Sequence, residues 1–231
     1  NATEEYNGTS WTSGNNMATT VTNHGGSGTQ TAAFSAGGNE GGTPKNNSQE
    51  YDGTNWTNGN NINTARQTLA GMGTQTAGLV VGGEVSPPSS SPGATEEYDG
   101  TNWTTGGSLN TGRRRLAGSG IQTSALAFGG NTTPPDTTKN LNEAYNGTSW
   151  TASPATLATA RTALGSTRTS SNNSSAVAFA GQNASGSKFK VTEEFNSSTN
   201  TITAAAWASG GALSTKRYAV GGTGTQTAGL A

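Results

Sequence analysis

The sequence predicts an all-β chain, a five-bladed β-propeller of four-stranded antiparallel blades whose ring is closed by strands from the two chain ends. Three observations predict it. Apolar residues are only 29% of the 231 residues, yet they return at fixed places, which a disordered polar tract has no reason to do. A first marker, Glu-Glu-Tyr followed by Asn/Asp-Gly-Thr-Ser/Asn-Trp-Thr, is anchored at Tyr6, Tyr51, Tyr98, Tyr145 and Phe195, giving spacings of 45, 47, 47 and 50 residues. Such a period is that of propeller blades. A second marker is clearest over residues 62–83, with related copies starting at Met17, Leu109, Leu157 and Leu213.

Within each unit, the first and second strands are the short β-prone runs that flank a Gly-Thr-Gln-Thr turn. Leu79-Val80-Val81 and Ala125-Leu126-Ala127-Phe128 belong to the second and are expected near the ring centre. The third strand carries Glu-Glu-Tyr and the fourth Trp-Thr. Between them, Asp52-Gly53-Thr54-Asn55 and Asp99-Gly100-Thr101-Asn102 supply tight-turn chemistry, because Asn and Gly accept positive φ at low cost. A four-stranded meander cannot bury both faces alone, so the units must stack face to face. Trp11, Trp56, Trp103 and Trp150 then fall on outer strands, packing between neighbours.

The expected blades span residues 17–57, 62–104, 109–151 and 157–203, with a composite fifth built from 212–231 and 2–12. Sharing one sheet between the chain ends removes the exposed edges that an open array would present. The closure requires the final apolar strand to pair with Thr3 to Tyr6.

With 12 basic and 13 acidic residues the net charge is −1, which leaves no electrostatic footprint for nucleic acid or an anionic membrane. The basic cluster Arg113, Arg114 and Arg115 reads as a solvated strand edge. Cysteine is absent, so neither disulfides nor thiolate metal sites can form. No 18-residue apolar run offers a membrane span, and the first residues lack the basic and apolar regions of a signal peptide. The chain opens at a repeat boundary, which leaves room for a leader or a flanking domain. Sequons such as Asn7, Asn55 and Asn146 follow from the repeats and an Asn-, Ser- and Thr-rich composition, so they suggest glycosylation only weakly.

The doublets Gly37-Gly38, Gly82-Gly83 and Gly129-Gly130 each end an apolar strand, with Tyr 13 to 15 residues on and Trp five after that. In these residues the chain resembles the kelch family, which implies a propeller. Ala180-Gly181 replaces one doublet and Asn200 stands where a Trp is expected. The wording of the two markers looks like repeats of virion proteins of marine bacteriophages. That likeness implies an extracellular particle component on the virion surface, attached to other virion proteins or to a host receptor or glycan.

Some kelch-like propellers are copper radical oxidases with His, Tyr and Cys ligands; His24 is the single histidine here and Cys is missing, so that chemistry has no ligand set. His24 occupies the position held by Leu69, Leu116 and Leu164 and reads as drifted packing. No cofactor is implied. Arg66, Arg113, Arg161 and Arg217 share one repeat position, with Val21 in the first unit. A buried ion pair with the recurring Glu explains both charges; a ring of Arg lining a ligand site is the alternative.

Glu40, Glu84 and Asp136 break the repeat pattern, each in a connection after an apolar strand. A glycosidase would need such carboxylates as a pair, but neighbouring blades are expected to hold them apart. The longest connections, residues 84–93 with Pro87-Pro88 and 131–140 with Pro134-Pro135, are the expected contact region, since loops on a fixed scaffold carry recognition. There the candidates are Glu84, Pro87, Pro88, Asn131, Pro134, Pro135 and Asp136, joined by Trp207, which stands outside the repeat register. The expected function is a non-enzymatic structural or attachment module of a phage particle. A secreted lectin-like propeller with repeated glycan sites, gaining avidity from weak contacts, is the second expectation.

Overall fold

A computed structural model describes residues 1–167, 172–197, 206–210, 218, 221, 223–225 and 228–230. The described residues are all-β without a helix, and most of their strands form four-stranded antiparallel sheets in chain order, here sheets I to IV. Sheet II shows the common plan: Ala70–Thr74 pairs with Ala77–Val81, which pairs with Thr95–Tyr98, which pairs with Trp103–Thr105. Sheet I starts at Gly25–Thr29 and sheet III at Ala117–Ile121, both with the same order.

Sheet IV comprises Gly165–Ser166, Ser175–Phe179, Thr192–Asn196 and Ala206–Gly210. Its last strand corrects the reading of Trp207. The Trp207 backbone pairs with Phe195 as Trp103 does with Tyr98 and Trp150 with Tyr145. Trp207 is therefore the repeat tryptophan of this sheet, delayed because its hairpin spans 12 residues from the anchor where others span five (207−195 against 103−98). Sheet IV accordingly runs beyond residue 203. Asn200 and Arg217 lie outside the described residues.

The first strands of successive sheets touch in chain order, and small residues make this possible. A Cβ on Gly71 would stand 2.3 Å from the Gly26 nitrogen, so the two backbones meet where a side chain would have been. Ser27 Oγ donates to Gly73 O at 2.8 Å and Ser166 Oγ to Gly118 O at 2.7 Å, tying first strands together. The second strands fill the core: Leu79, Val80, Val81, Leu126, Ala127 and Phe128 are at most 1% exposed.

Outer strands join neighbouring sheets through repeated contacts. Trp103 stacks on Tyr98 at 4.7 Å and meets Phe34 of sheet I edge-on at 5.7 Å. Trp150 Nε1 donates to Thr95 Oγ1 of sheet II at 2.9 Å. The turn glutamines Gln75 and Gln122 donate to the carbonyls of Tyr51 and Tyr98 in the preceding sheet, at 2.9 and 2.8 Å.

Of the two-stranded hairpins outside these sheets, two lie toward the ends of the sequence: Thr3–Tyr6 with Trp11–Gly14, and Thr223–Thr225 with Ala228–Leu230. Each pairs only within itself among the described residues, so the shared fifth sheet is not among the observed pairings. The N-terminal hairpin nonetheless meets sheet I as sheet II meets sheet III. Trp56 Nε1 donates to Thr3 Oγ1 at 2.8 Å, and the Tyr51 hydroxyl donates to Glu5. Its own Tyr6 and Trp11 are 42% and 63% exposed, where Tyr98 and Trp103 are 1% and 6%.

Candidate functional site

The repeating arginines are the most costly groups in the molecule to bury. Arg66, Arg113 and Arg161 are fully buried, and each bonds the first Glu of the third strand in its own sheet: Glu96 at 2.7 Å, Glu143 at 2.9 Å and Glu193 at 2.8 Å. Carbonyls add to the shell; Arg113 also donates to Gly129 O at 2.7 Å and Leu141 O at 3.1 Å. Burial pushes the pKa of all three guanidinium groups down while the paired carboxylates pull it back up. In sheet I both charges are gone together: Val21 replaces Arg, and Gln49 replaces Glu and bonds the Thr19 backbone instead.

The same doublet that suggested a family has a local cause here. A Cβ on Gly82 would stand 2.4 Å from Arg113 O, and the neighbouring Gly83 N donates to that carbonyl at 2.9 Å. Bare backbone is needed where the arginine loop of the following unit leans on the strand end.

The tyrosine anchors are equally structural. The hydroxyls of Tyr98 and Tyr145 donate to Glu50 and Glu97 of the preceding sheet. Burial first, then these carboxylates, raise both phenol pKa values. Tyr51 is pushed up to about 12, chiefly by its hydrogen bond to Glu5. None of these recurring polar groups is left over for an external ligand.

The arginine cluster divides in three. Arg113 is buried, so it is not part of a solvated edge. Arg114 Nη1 binds Glu84 Oε2 at 2.7 Å while its Nη2 binds Asp136 Oδ2 at 2.8 Å. Burial opposes the Arg114 charge, but Glu84 and then Asp136 outweigh it and raise its pKa. The expectation that neighbouring units hold these carboxylates apart is thereby corrected: one guanidinium spans both. Glu40 remains separate, in its own ion pair with Lys45 at 3.0 Å. Only Arg115 is exposed.

The two long connections are also in contact. Ser91 N donates to Thr133 O at 3.1 Å, and Asn131 Nδ2 donates to Asp136. Glu84 and Asn131 are buried, whereas Pro87, Pro88, Pro134, Pro135 and Asp136 are exposed. Those prolines and Asp136 form the outer surface of a ridge whose base is fixed by Arg114.

Sequence reasoning missed the position beside this ridge. Asn23, Thr68, Arg115 and Ala163 stand at equivalent places in the four units and all have positive φ, from 51° to 56°. Their amides form a chain between units: Thr68 N donates to Asn23 O at 2.7 Å, Arg115 N to Thr68 O at 2.8 Å, and Ala163 N to Arg115 O at 2.8 Å. A left-handed backbone costs a non-glycine residue free energy, which this girdle offsets.

The same four residues line an open cavity of about 300 Å³ with His24, Leu69, Leu116, Leu164, Gln182 and Tyr218. His24 thus reaches the cavity wall from the leucine position, with Nδ1 at 2.9 Å from Ser35 Oγ. The signal that marks the place is irregularity: Asn, Thr, Arg and Ala stand at a single repeat position, which Leu follows in three of the four units.

No protein-family model matches the chain, and no curated protein matches it significantly.

Proposed function

We propose that the chain is a five-bladed propeller serving as a non-enzymatic recognition or structural module, carried on the surface of a bacteriophage particle. The observation that carries this reading is the division of labour among its polar groups. Those that recur are consumed inside, by Arg–Glu pairs and by tyrosine bonds to the preceding sheet. Those that vary are gathered at one end, in the ridge tied by Arg114 and in the adjoining cavity. Such a division suits a rigid scaffold presenting a variable face to other virion proteins or to a host surface receptor. The phage setting rests on the wording of the repeats.

The fifth blade is composed of the two hairpins at the chain ends. Exposed Tyr6 and Trp11 support it, because their counterparts elsewhere are covered by the preceding sheet. The contacts of Thr3 and Glu5 with sheet I give the N-terminal hairpin the place of an outer half-blade.

A lectin with one site per blade loses its aromatic platforms, since Trp103 and Trp150 are buried between sheets. A hydrolase is disfavoured because Glu84 and Asp136 are both spent on Arg114. Mass spectrometry of purified particles of the encoding phage tests the reading: stoichiometric copies of the chain are expected, and its absence would remove the proposal.

A further inference from the structure

We propose that the shared cavity binds a small sugar acid, one pyranose ring bearing a carboxylate, with Arg115 as the residue that recognises the carboxylate. This deepens the recognition reading above and rests on it. The cavity is walled by the same two adjacent positions of all four units together, so it is a single site and not one of several equivalent ones. At about 300 Å³ it lies at the small end of ligand pockets, the size for one ring and not for a chain of them.

Charge selects the ligand class. Of three consecutive arginines, Arg113 is neutralised by Glu143 and Arg114 by Glu84 and Asp136. Among the described residues Arg115 has no ion pair, and none of those that line the cavity carries a carboxylate. A guanidinium offers two parallel donors in a plane, which matches a carboxylate as a fork. Its backbone is already fixed, through Arg115 N to Thr68 O and Ala163 N to Arg115 O, so only the side chain has to be ordered on binding.

The remaining wall fits a sugar better than a simple carboxylic acid. Leu69, Leu116 and Leu164 form an apolar floor suited to the C–H face of a pyranose, while Asn23, Thr68 and Gln182 offer hydrogen-bonding groups to its hydroxyls. Tyr218 stands at the wall with its ring exposed, and Lys188 Nζ lies 4.7 Å from the ring centre. That brings a second positive charge to the same side.

Titration of the whole chain, followed by calorimetry and by backbone amide shifts, tests the proposal with four probes. Galacturonate and glucuronate carry ring, hydroxyls and carboxylate; glucose lacks the carboxylate, and cyclohexanecarboxylate lacks the hydroxyls. At least one uronate should bind with a Kd of about 1 mM or tighter, shifting the amides of His24 and Thr68, with both other probes at least about tenfold weaker. Arg115→Asn should weaken the uronate at least about tenfold without changing the melting curve, since Asn23 holds the same backbone conformation at φ 56°. Arg115→Ala, with Ala163 as its precedent at φ 52°, gives the same comparison if the first variant melts early.

No uronate binding at about 10 mM, equal affinity for glucose, or unchanged affinity in both variants would overturn the carboxylate assignment. Equal affinity for cyclohexanecarboxylate would overturn the sugar. Either result with the chain still present in virions would reject this site and leave the module reading intact.

Discussion

Replacing Glu143 by Gln removes the countercharge of a guanidinium that has no access to water. Arg113 would keep its bonds to Gly129 O and Leu141 O at 2.7 and 3.1 Å, but lose the carboxylate at 2.9 Å. Breaking a buried pair from one side costs about 3–5 kcal/mol. At roughly 2–4 °C per kcal/mol for a chain of this size, the melting temperature should fall by roughly 6–20 °C. Arg113→Val should cost a similar amount, because Glu143 would keep only the uncharged Asn110 donors at 2.7 and 2.8 Å and the longer Thr111 N bond at 3.4 Å.

The double variant copies sheet I, where Val21 and Gln49 occupy these positions. It should be more stable than the sum of the singles by at least about 2 kcal/mol, since neither charge is stranded. Reversible urea unfolding monitored by circular dichroism measures all three. Strictly additive losses, or single variants costing under about 1 kcal/mol, would refute the view that these residues act as a structural pair.

Further outcomes follow from other contacts. Gly71→Ala should cost about 2 kcal/mol or more, because its Cβ would stand 2.3 Å from the Gly26 nitrogen of the neighbouring sheet; chemical denaturation reads this directly. Trp103→Ala should cost about 3–5 kcal/mol, as its ring fills the space between Tyr98 and Phe34, and the same assay applies. Raised phenol pKa values make the folded state hold protons that the unfolded state releases first. Stability from Tyr51, Tyr98 and Tyr145 is therefore complete below about pH 10 and lost as the pH climbs through about 12 for Tyr51 and higher for the others. Tyrosinate absorbance during alkaline titration should show these groups ionising together with unfolding, and Tyr98→Phe should remove one of them.

Much of the fold was legible because its determinants repeat. Two markers at fixed spacing specify four strands, and a residue such as Arg113 that returns with Glu143 can be read as paired. Trp207 escaped because sequence register assumes a constant hairpin length, and the fourth sheet has a longer one. The meeting of Glu84 with Asp136 escaped for another reason: each belongs to a different unit, and the Arg114 that joins them reads as one of three equivalent charges in a row. The cavity was the least legible feature. Its wall is assembled from single positions about 47 residues apart, and what marks Asn23, Thr68, Arg115 and Ala163 as a set is a backbone angle that only Asn would have suggested.

Closure of the ring is the claim on which the rest depends, and the absence of native cysteine allows a clean test. Aligning Leu230 with Leu79, which pairs with Glu97, sets Leu230 opposite Glu5 in a shared fifth sheet. A Glu5→Cys, Leu230→Cys variant should oxidise to an intramolecular disulfide in the monomer, detectable by non-reducing electrophoresis and peptide mass mapping. Thiols that stay free, or cross-links formed only between molecules, would contradict a ring closed by its own two ends.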